Sequence, residues 1–333
     1  LNSDFSLAGL SVTFFMLLYN LLKSIAKFEL NLNKMKFGQV DDLDVVDFSL
    51  PTLDKITKTN LSSLRKDNNF KFYFGAPGWS DVKYKGIVYP KNTPAKNFLK
   101  EYANQFNSIE VNSTRYGTPK KHILERWVNS VGDDFKFSMK IPQVVTHRKD
   151  INDHTAKMKT EEFISAVDQL GEKSGINFAV MAKYFKSSQF KELESFINFW
   201  PVDAPLAIEF RNPSWFEDSV REEWQELFYA KNITPVITDT PGRRDVLHFN
   251  LTNKHLFIRY VGDFNHPSDL KRIELWTEKI SELVNLGIEN IWFYVHQPGE
   301  DRERILFFYN KLIPNINKLL NTQIPLLNNH IYM

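Results

Sequence analysis

From Phe72 onward, short runs of β-branched and aromatic residues alternate with stretches whose apolar positions recur every three or four residues, the pattern of parallel βα units. Eight runs read as strands: Phe72 to Ala76, Ser108 to Asn112, Lys136 to Lys140, Asn177 to Met181, Leu206 to Phe210, Pro235 to Asp239, Phe257 to Val261 and Asn290 to His296. Amphipathic helices lie between most of them. Phe163, Ile164, Val167 and Leu170 share one face, as do Val220, Trp224, Leu227 and Phe228, and again Ile305, Leu306, Tyr309, Leu312, Ile313 and Ile316. Thr93-Pro94 and Thr118-Pro119 set a capping residue before a first-turn proline, while Gly171 and Gly287 stand where helices should stop. Eight strands over about 225 residues predict a (β/α)8 TIM-like barrel, a fold of typically ~250 residues. A doubly wound open sheet is the alternative. Thr240 to His255 has no helical periodicity, so a long non-helical loop is expected between strands 6 and 7.

Upstream, residues 7–22 form an apolar run with no basic residue before it and no small-residue cleavage site after it, both of which a secretory signal has. The run is short for a membrane span of ~20 residues. Met35 opens a polar stretch and is the expected start, which makes residues 1–34 a non-native extension. The expected organisation is then a partly extended leader over 35–70, the barrel domain over 71–318 and a tail over 319–333. With that start, a cytoplasmic protein with no membrane partner is expected.

Composition narrows the chemistry. The 333 residues carry 42 Lys plus Arg against 40 Asp plus Glu, a net charge of +2 that gives no long-range field for gathering a polyanion. The absence of cysteine removes disulfides, thiolate metal sites and a cysteine nucleophile together. No HExxH or comparable metal spacing occurs, so no metal site is expected.

Function in such a barrel collects at the carboxyl ends of the strands. Period two puts Glu110 with Asn112, Ser138 with Lys140, and Glu209 with Arg211 on shared faces, while Asp239, Arg259, Tyr294 and His296 lie in or end the later strands. Charges inside apolar strands are costly unless paired, so they must converge on each other, on water or on a ligand. Glu110, Glu209 and Asp239 match Lys140, Arg211 and Arg259 three for three, which fits a neutralised interior network. The same groups fit a pocket in which Glu110, Lys140, Glu209 and Asp239 carry acid/base chemistry and Arg211 and Arg259 clamp an anionic substituent. His147, just past the third strand, joins the ligand-binding candidates. Gly75 and Gly78 suggest a tight turn that lets backbone approach a ligand, and Arg243, Arg244 and Lys254 form a small basic cluster.

Several segments then carry a family likeness: Gly-Ala-Pro-Gly-Trp-Ser at 75–80, Ser-Ile-Glu-Val-Asn-Ser-Thr at 108–114, Phe-Ser-Met-Lys-Ile-Pro at 137–142, Thr-His at 146–147 and Ala-Ile-Glu-Phe-Arg-Asn-Pro-Ser-Trp-Phe at 207–216. Together, in this order, they resemble the domain of unknown function 72 family, the YecE-like proteins, over roughly residues 70–315. The resemblance implies a TIM-like barrel without implying a reaction. It carries over polar positions Trp79, Glu110, Asn112, Lys140, His147, Glu209, Arg211, Trp215, Asp239 and Arg259, and the chain departs from it at His296 and Gln297. The expected function is binding or transformation of a small anionic or polyhydroxylated molecule by carboxylate acid/base chemistry, which fits a hydrolase, lyase or isomerase; the sequence names no cofactor. The alternative is a nucleic-acid-binding or metal-dependent nuclease-like barrel.

Overall fold

The structure is a computed structural model that describes residues 40, 42–63, 70–263, 266–297 and 301–327. The expected extension over 1–34 lies outside the described residues. All eight runs with strand periodicity form strands: β1 (Lys71–Gly75), β2 (Ser108–Val111), β3 (Lys136–Met139), β4 (Asn177–Val180), β5 (Leu206–Glu209), β6 (Thr234–Asp239), β7 (His255–Val261) and β8 (Asn290–His296). The helices are α1 (Lys55–Ser63), α2 (Phe98–Ala103), α3 (Lys121–Ser130), α4 (Gln143–Thr146), α5 (His154–Asp168), α6 (Phe190–Phe199), α7 (Asp218–Lys231), α8 (Ser268–Leu286) and α9 (Arg304–Leu320). Gly287 ends α8 in the left-handed region at φ 116°, as its position suggested. The two Thr-Pro pairs do not cap: α2 begins at Phe98 and α3 at Lys121, each without a side-chain cap.

The strands pair in parallel, but the sheet is not closed into the expected barrel. Six strands run in the order β1-β8-β7-β6-β5-β4, and β2-β3 form a separate pair. The interruptions fall between β1 and β2 and between β3 and β4. Side chains occupy the missing rungs there, because buried backbone groups must find partners. Asn107 accepts from the Phe74 N–H (2.9 Å) and donates to the Phe72 carbonyl (2.7 Å). The Tyr102 hydroxyl accepts from the Ala76 N–H (2.7 Å) and donates to the Ser108 carbonyl (3.2 Å). At the second seam Asn177 accepts from the Met139 N–H (3.2 Å). A few backbone bonds still cross, from Glu110 to Ala76 (3.1 Å), Gly175 to Phe137 (2.8 Å) and Ile141 to Phe178 (2.9 Å).

Both seams require glycine. A Cβ on Gly75 would lie 2.1 Å from the Ser108 carbonyl oxygen, and one on Gly175 would lie 2.9 Å from both Ser138 Oγ and Trp292 Cζ3. The Gly75 backbone therefore approaches the neighbouring strand rather than a ligand.

Period two sends alternate strand residues to two separate cores. Phe74, Ile109, Phe137, Ile208, Ile237, Ile258 and Phe293 pack with the helices, while Tyr73, Phe178, Ala207, Val236, Phe257, Trp292 and Tyr294 form a smaller cluster on the other face. Phe178 of β4 and Phe257 of β7 have ring centroids only 5.5 Å apart. Three strand spacings of ~4.8 Å separate those strands along the sheet, so the sheet must curl around this inner cluster.

The β6–β7 segment has no α-helix, only a 3-10 turn at Arg244–Val246, as its lack of periodicity predicted. The leader is not merely extended, because α1 docks against this segment. Asp54 caps α1 by accepting from the Thr57 N–H (2.6 Å) and also accepts from Asn250 Nδ2 (2.6 Å). Thr57, fully buried, donates to the Phe249 carbonyl (3.0 Å) and accepts from the Leu251 N–H (2.9 Å). Among the described residues no helix is long and apolar enough to cross a membrane.

Replacing Gly75 with Ala should destabilise the protein by about 3 kcal/mol or more, the upper range for forcing atoms into a packed site. Gly132→Ala, where nothing lies within 4 Å of the added Cβ, should stay within about 0.5 kcal/mol of wild type. Urea unfolding of both variants measures the difference.

Candidate functional site

Glu110, Glu209 and Arg259 come from three different strands and meet on the face that carries the inner apolar cluster, towards the carboxyl ends. The register places Arg259 beside Thr238 of β6 and Tyr294 of β8, and Glu209 beside Val180 of β4. Arg259 donates through Nε (3.1 Å) and Nη2 (3.0 Å) to the two oxygens of Glu110, and through Nη1 to Glu209 Oε2. Its planar fork suits such two-sided carboxylate binding. Glu110 also accepts from Asn112 Nδ2 (2.6 Å) and from His296 Nε2 (2.9 Å). Since an ionised carboxylate can only accept, that ring nitrogen carries the proton. Arg211 donates to Glu209 Oε1 (3.1 Å), with its side chain 40% exposed. Beneath this layer the Tyr294 hydroxyl donates to Ser138 Oγ (2.8 Å) and shares a 2.7 Å hydrogen bond with Ser108 Oγ, joining β8 to β2 and β3.

The electrostatics follow from burial and pairing. Burial pushes the Glu110 carboxyl up, but Arg259 and His296 outweigh it and hold it well below the usual carboxylate range. Burial also acts against ionisation of Glu209, and Arg259, Arg211 and Lys140 together overcome it. Both groups are therefore fixed as anions. Lys140, one residue beyond β3, differs. Burial, with Arg259 next in weight, lowers its amine to about 8 against the pull of Glu110 and Glu209. His147, exposed at the end of α4, is lowered by partial burial and by Lys140, Arg211 and Arg115. His296 is lowered by burial despite Glu110.

Asp239 does not belong to this group. It points to the helix-packed face of β6 with Ile237, where Arg244, Arg272 (3.0 Å) and Trp276 Nε1 (2.6 Å) surround its carboxylate. The three-for-three matching read from the sequence thus breaks. Two carboxylates, Glu110 and Glu209, face three potential cations, Lys140, Arg211 and Arg259. Trp215 is also remote in role: it is fully buried, stacks on Phe210 (4.3 Å) and donates to the Phe185 carbonyl (2.8 Å). Trp79 packs edge-on against Trp127 (5.0 Å) in the outer core. The basic cluster is neutralised: Arg243 pairs with Asp245, Arg244 with Asp239 and Lys254 with Glu289. Among the described residues, no three His, Asp or Glu side chains are grouped to hold a metal ion.

Thr238 escaped sequence reading. Its Oγ1 is buried without a hydrogen-bond partner among the described residues, on the same face as Arg259. The alternation from Val236 was the available signal, but a threonine in a β-rich run reads as an ordinary strand former. Arg272, which neutralises Asp239, lies in α8 and was hidden by its helical context.

The family described as "Protein of unknown function DUF72" matches residues 73–310. The UPF0759 protein YecE of Escherichia coli K12 is 25% identical over 231 residues, spanning 63% of this chain and 81% of that protein. The UPF0759 protein YunF of Bacillus subtilis is 26% identical over 240 residues, spanning 63% and 83%. Among solved structures, a DUF72 family protein of Enterococcus faecalis superposes with a TM-score of 0.61 at 19% identity, covering 78% of this chain and 98% of its own. One from Thermotoga maritima gives 0.58 at 23%, covering 75% and 99%. These names carry no substrate or reaction.

Arg259→Met would strand two buried carboxylates, and stability should fall by about 3–5 kcal/mol. Arg211→Met, at the half-exposed end of the cluster, should cost under about 1 kcal/mol. Because Glu110 and Glu209 are held low, their contribution is complete above the ordinary carboxylate range near ~4 and is lost as pH falls below it. Urea midpoints at neutral pH and below that range, for wild type and both variants, check the ranking and the acid-side loss.

Proposed function

The chain belongs to the DUF72 family of proteins of unknown function, and on that premise we propose that its curled strands form an interrupted (β/α)8 barrel whose carboxyl-end site binds a small anionic molecule and moves a proton on it. The observation that carries this reading is the unequal charge of the site. Arg259 is consumed by Glu110 and Glu209, Asp239 is satisfied elsewhere, and Lys140 and Arg211 are left to face a ligand with one shared carboxylate contact between them. Thr238 offers a further hydroxyl, and Asn112 and His147 border the same ends of the strands.

The acid/base role passes from the carboxylates to Lys140. Glu110 and Glu209, held as anions, orient and neutralise, whereas an amine lowered to about 8 exchanges its proton close to neutral pH, where proton transfer is most effective. Arg211 holds the anionic substituent, since its exposed guanidinium keeps free donors beyond its bond to Glu209. Bound anion favours the ammonium form of Lys140, so binding takes up a proton and weakens as pH rises through about 8.

Calorimetric titration with inorganic phosphate tests this. Binding to wild type at pH 7 should weaken about tenfold or more in Arg211→Met, the loss of one charge-assisted hydrogen bond, and should weaken similarly at pH 9. Phosphate affinity that is absent in wild type, or indifferent to both changes, overturns the anion-site reading.

A further inference from the structure

We propose that Lys140 is a covalent residue, whose ε-amine forms an imine with the carbonyl carbon of a small aldehyde or ketone that carries a carboxylate or phosphate group. This rests on the anion-binding reading above and adds the substrate class.

The geometry separates Lys140 from the other lysines with described partners. Lys254 is tied to Glu289, Lys159 to Glu162 and Lys173 to the Val128 and Val131 carbonyls. Among the described residues, Lys140 Nζ forms no hydrogen bond or ion pair. It stands over the Phe178 ring, 5.9 Å from the centroid, and Arg259 Cζ stands over the same ring at 5.6 Å. The charged groups facing it are Glu110, Glu209, Arg259 and Arg211, with His147 and His296 nearby. The two carboxylates that could have captured the ammonium are already occupied by Arg259, Arg211, Asn112 and His296. An amine that is partly desolvated on an apolar ring beside a second cation is an activated nucleophile. With its pKa lowered to about 8, about one-tenth of the amine is unprotonated at pH 7, against less than about one-thousandth for an ordinary lysine.

The step balances without a further reactant. The unprotonated amine attacks the carbonyl carbon, a C–N bond forms, and one nitrogen proton passes to the former carbonyl oxygen to give a carbinolamine. The C–O bond then breaks, the hydroxyl leaves as water with the second nitrogen proton, and C=N remains. Arg211 fixes the anionic end of the ligand so that its carbonyl is presented to Nζ.

Reductive trapping tests the proposal on the full chain. Pyruvate and glyceraldehyde 3-phosphate serve as carboxylate and phosphate probes, acetone and glyceraldehyde as neutral controls, each with cyanoborohydride at pH 7, followed by intact mass and peptide mapping. The expected result is one adduct at Lys140, with an anionic probe, at least about tenfold above any other lysine, as the unprotonated fractions require. It should disappear in Lys140→Arg and fall in Arg211→Met. If the larger guanidinium prevents folding, Lys140→Met supplies the adduct-loss arm. Labelling that is spread over surface lysines, or equal for neutral and anionic probes, overturns the covalent role. If phosphate binding persists without any adduct, the imine falls and the anion site stands; if both fail, both readings fall.

Discussion

Arg259 is a guanidinium enclosed by strands, and a cation in that position is tolerable only if its donors are met by charges that are themselves held in place. Glu110 and Glu209 meet it from β2 and β5 while His296 reaches the same carboxylate from β8. One side chain therefore spans the interior and joins strands that share no ladder. The cluster does not by itself imply high stability, since ion pairs of this kind roughly offset their own desolvation. What it supplies is uniqueness: a different register of β2 or β5 would bury a carboxylate with no partner. The inner apolar layer lies beneath it, from Tyr73 stacked on Trp292 at 4.0 Å up to Phe257 and Tyr294.

The fold was legible where its signal is local. Alternation located all eight strands, and the missing periodicity after β6 located the helix-free connection. What the chain did not disclose is where the ladder is interrupted and what bridges the two seams. Asn107, Tyr102 and Asn177 look in sequence like an ordinary loop residue, a helix residue and a strand residue, and their substitution for backbone rungs depends on contacts between separate segments. Helix α1 was missed for a related reason. Asp54 caps it, but what makes the nine residues Lys55–Ser63 stay helical is the buried Thr57 hydroxyl against Phe249 and Leu251, nearly two hundred positions away in the chain.

The site was half legible. Parity within each strand set Glu110 with Asn112 and Glu209 with Arg211 on shared faces, and the cost of buried charge required such groups to converge; Arg259 is where Glu110 and Glu209 do so. The same alternation sets Asp239 on the outer face with Ile237, where Arg272 of α8 meets it, a contact that no single segment discloses. That single reassignment changes the electrostatic character of the site from neutral to cation-rich, which is why Lys140 emerges from the crowd of matched charges. The tryptophans mark the other limit. Trp79 and Trp215 sit in family-like segments beside the site, yet their indoles serve the packing of the outer layer.

The two glycine-lined seams also divide the molecule mechanically. The β2-β3 unit is attached to its neighbours by a handful of backbone and side-chain bonds, whereas β4 through β1 form one unbroken sheet. That unit carries both Glu110 and Lys140, so its seating determines the distance from the amine to Arg211 on the far side of the second seam. A molecule bound between Lys140 and Arg211 would stand in for an absent rung, and occupancy and mechanical cohesion of the sheet would rise together.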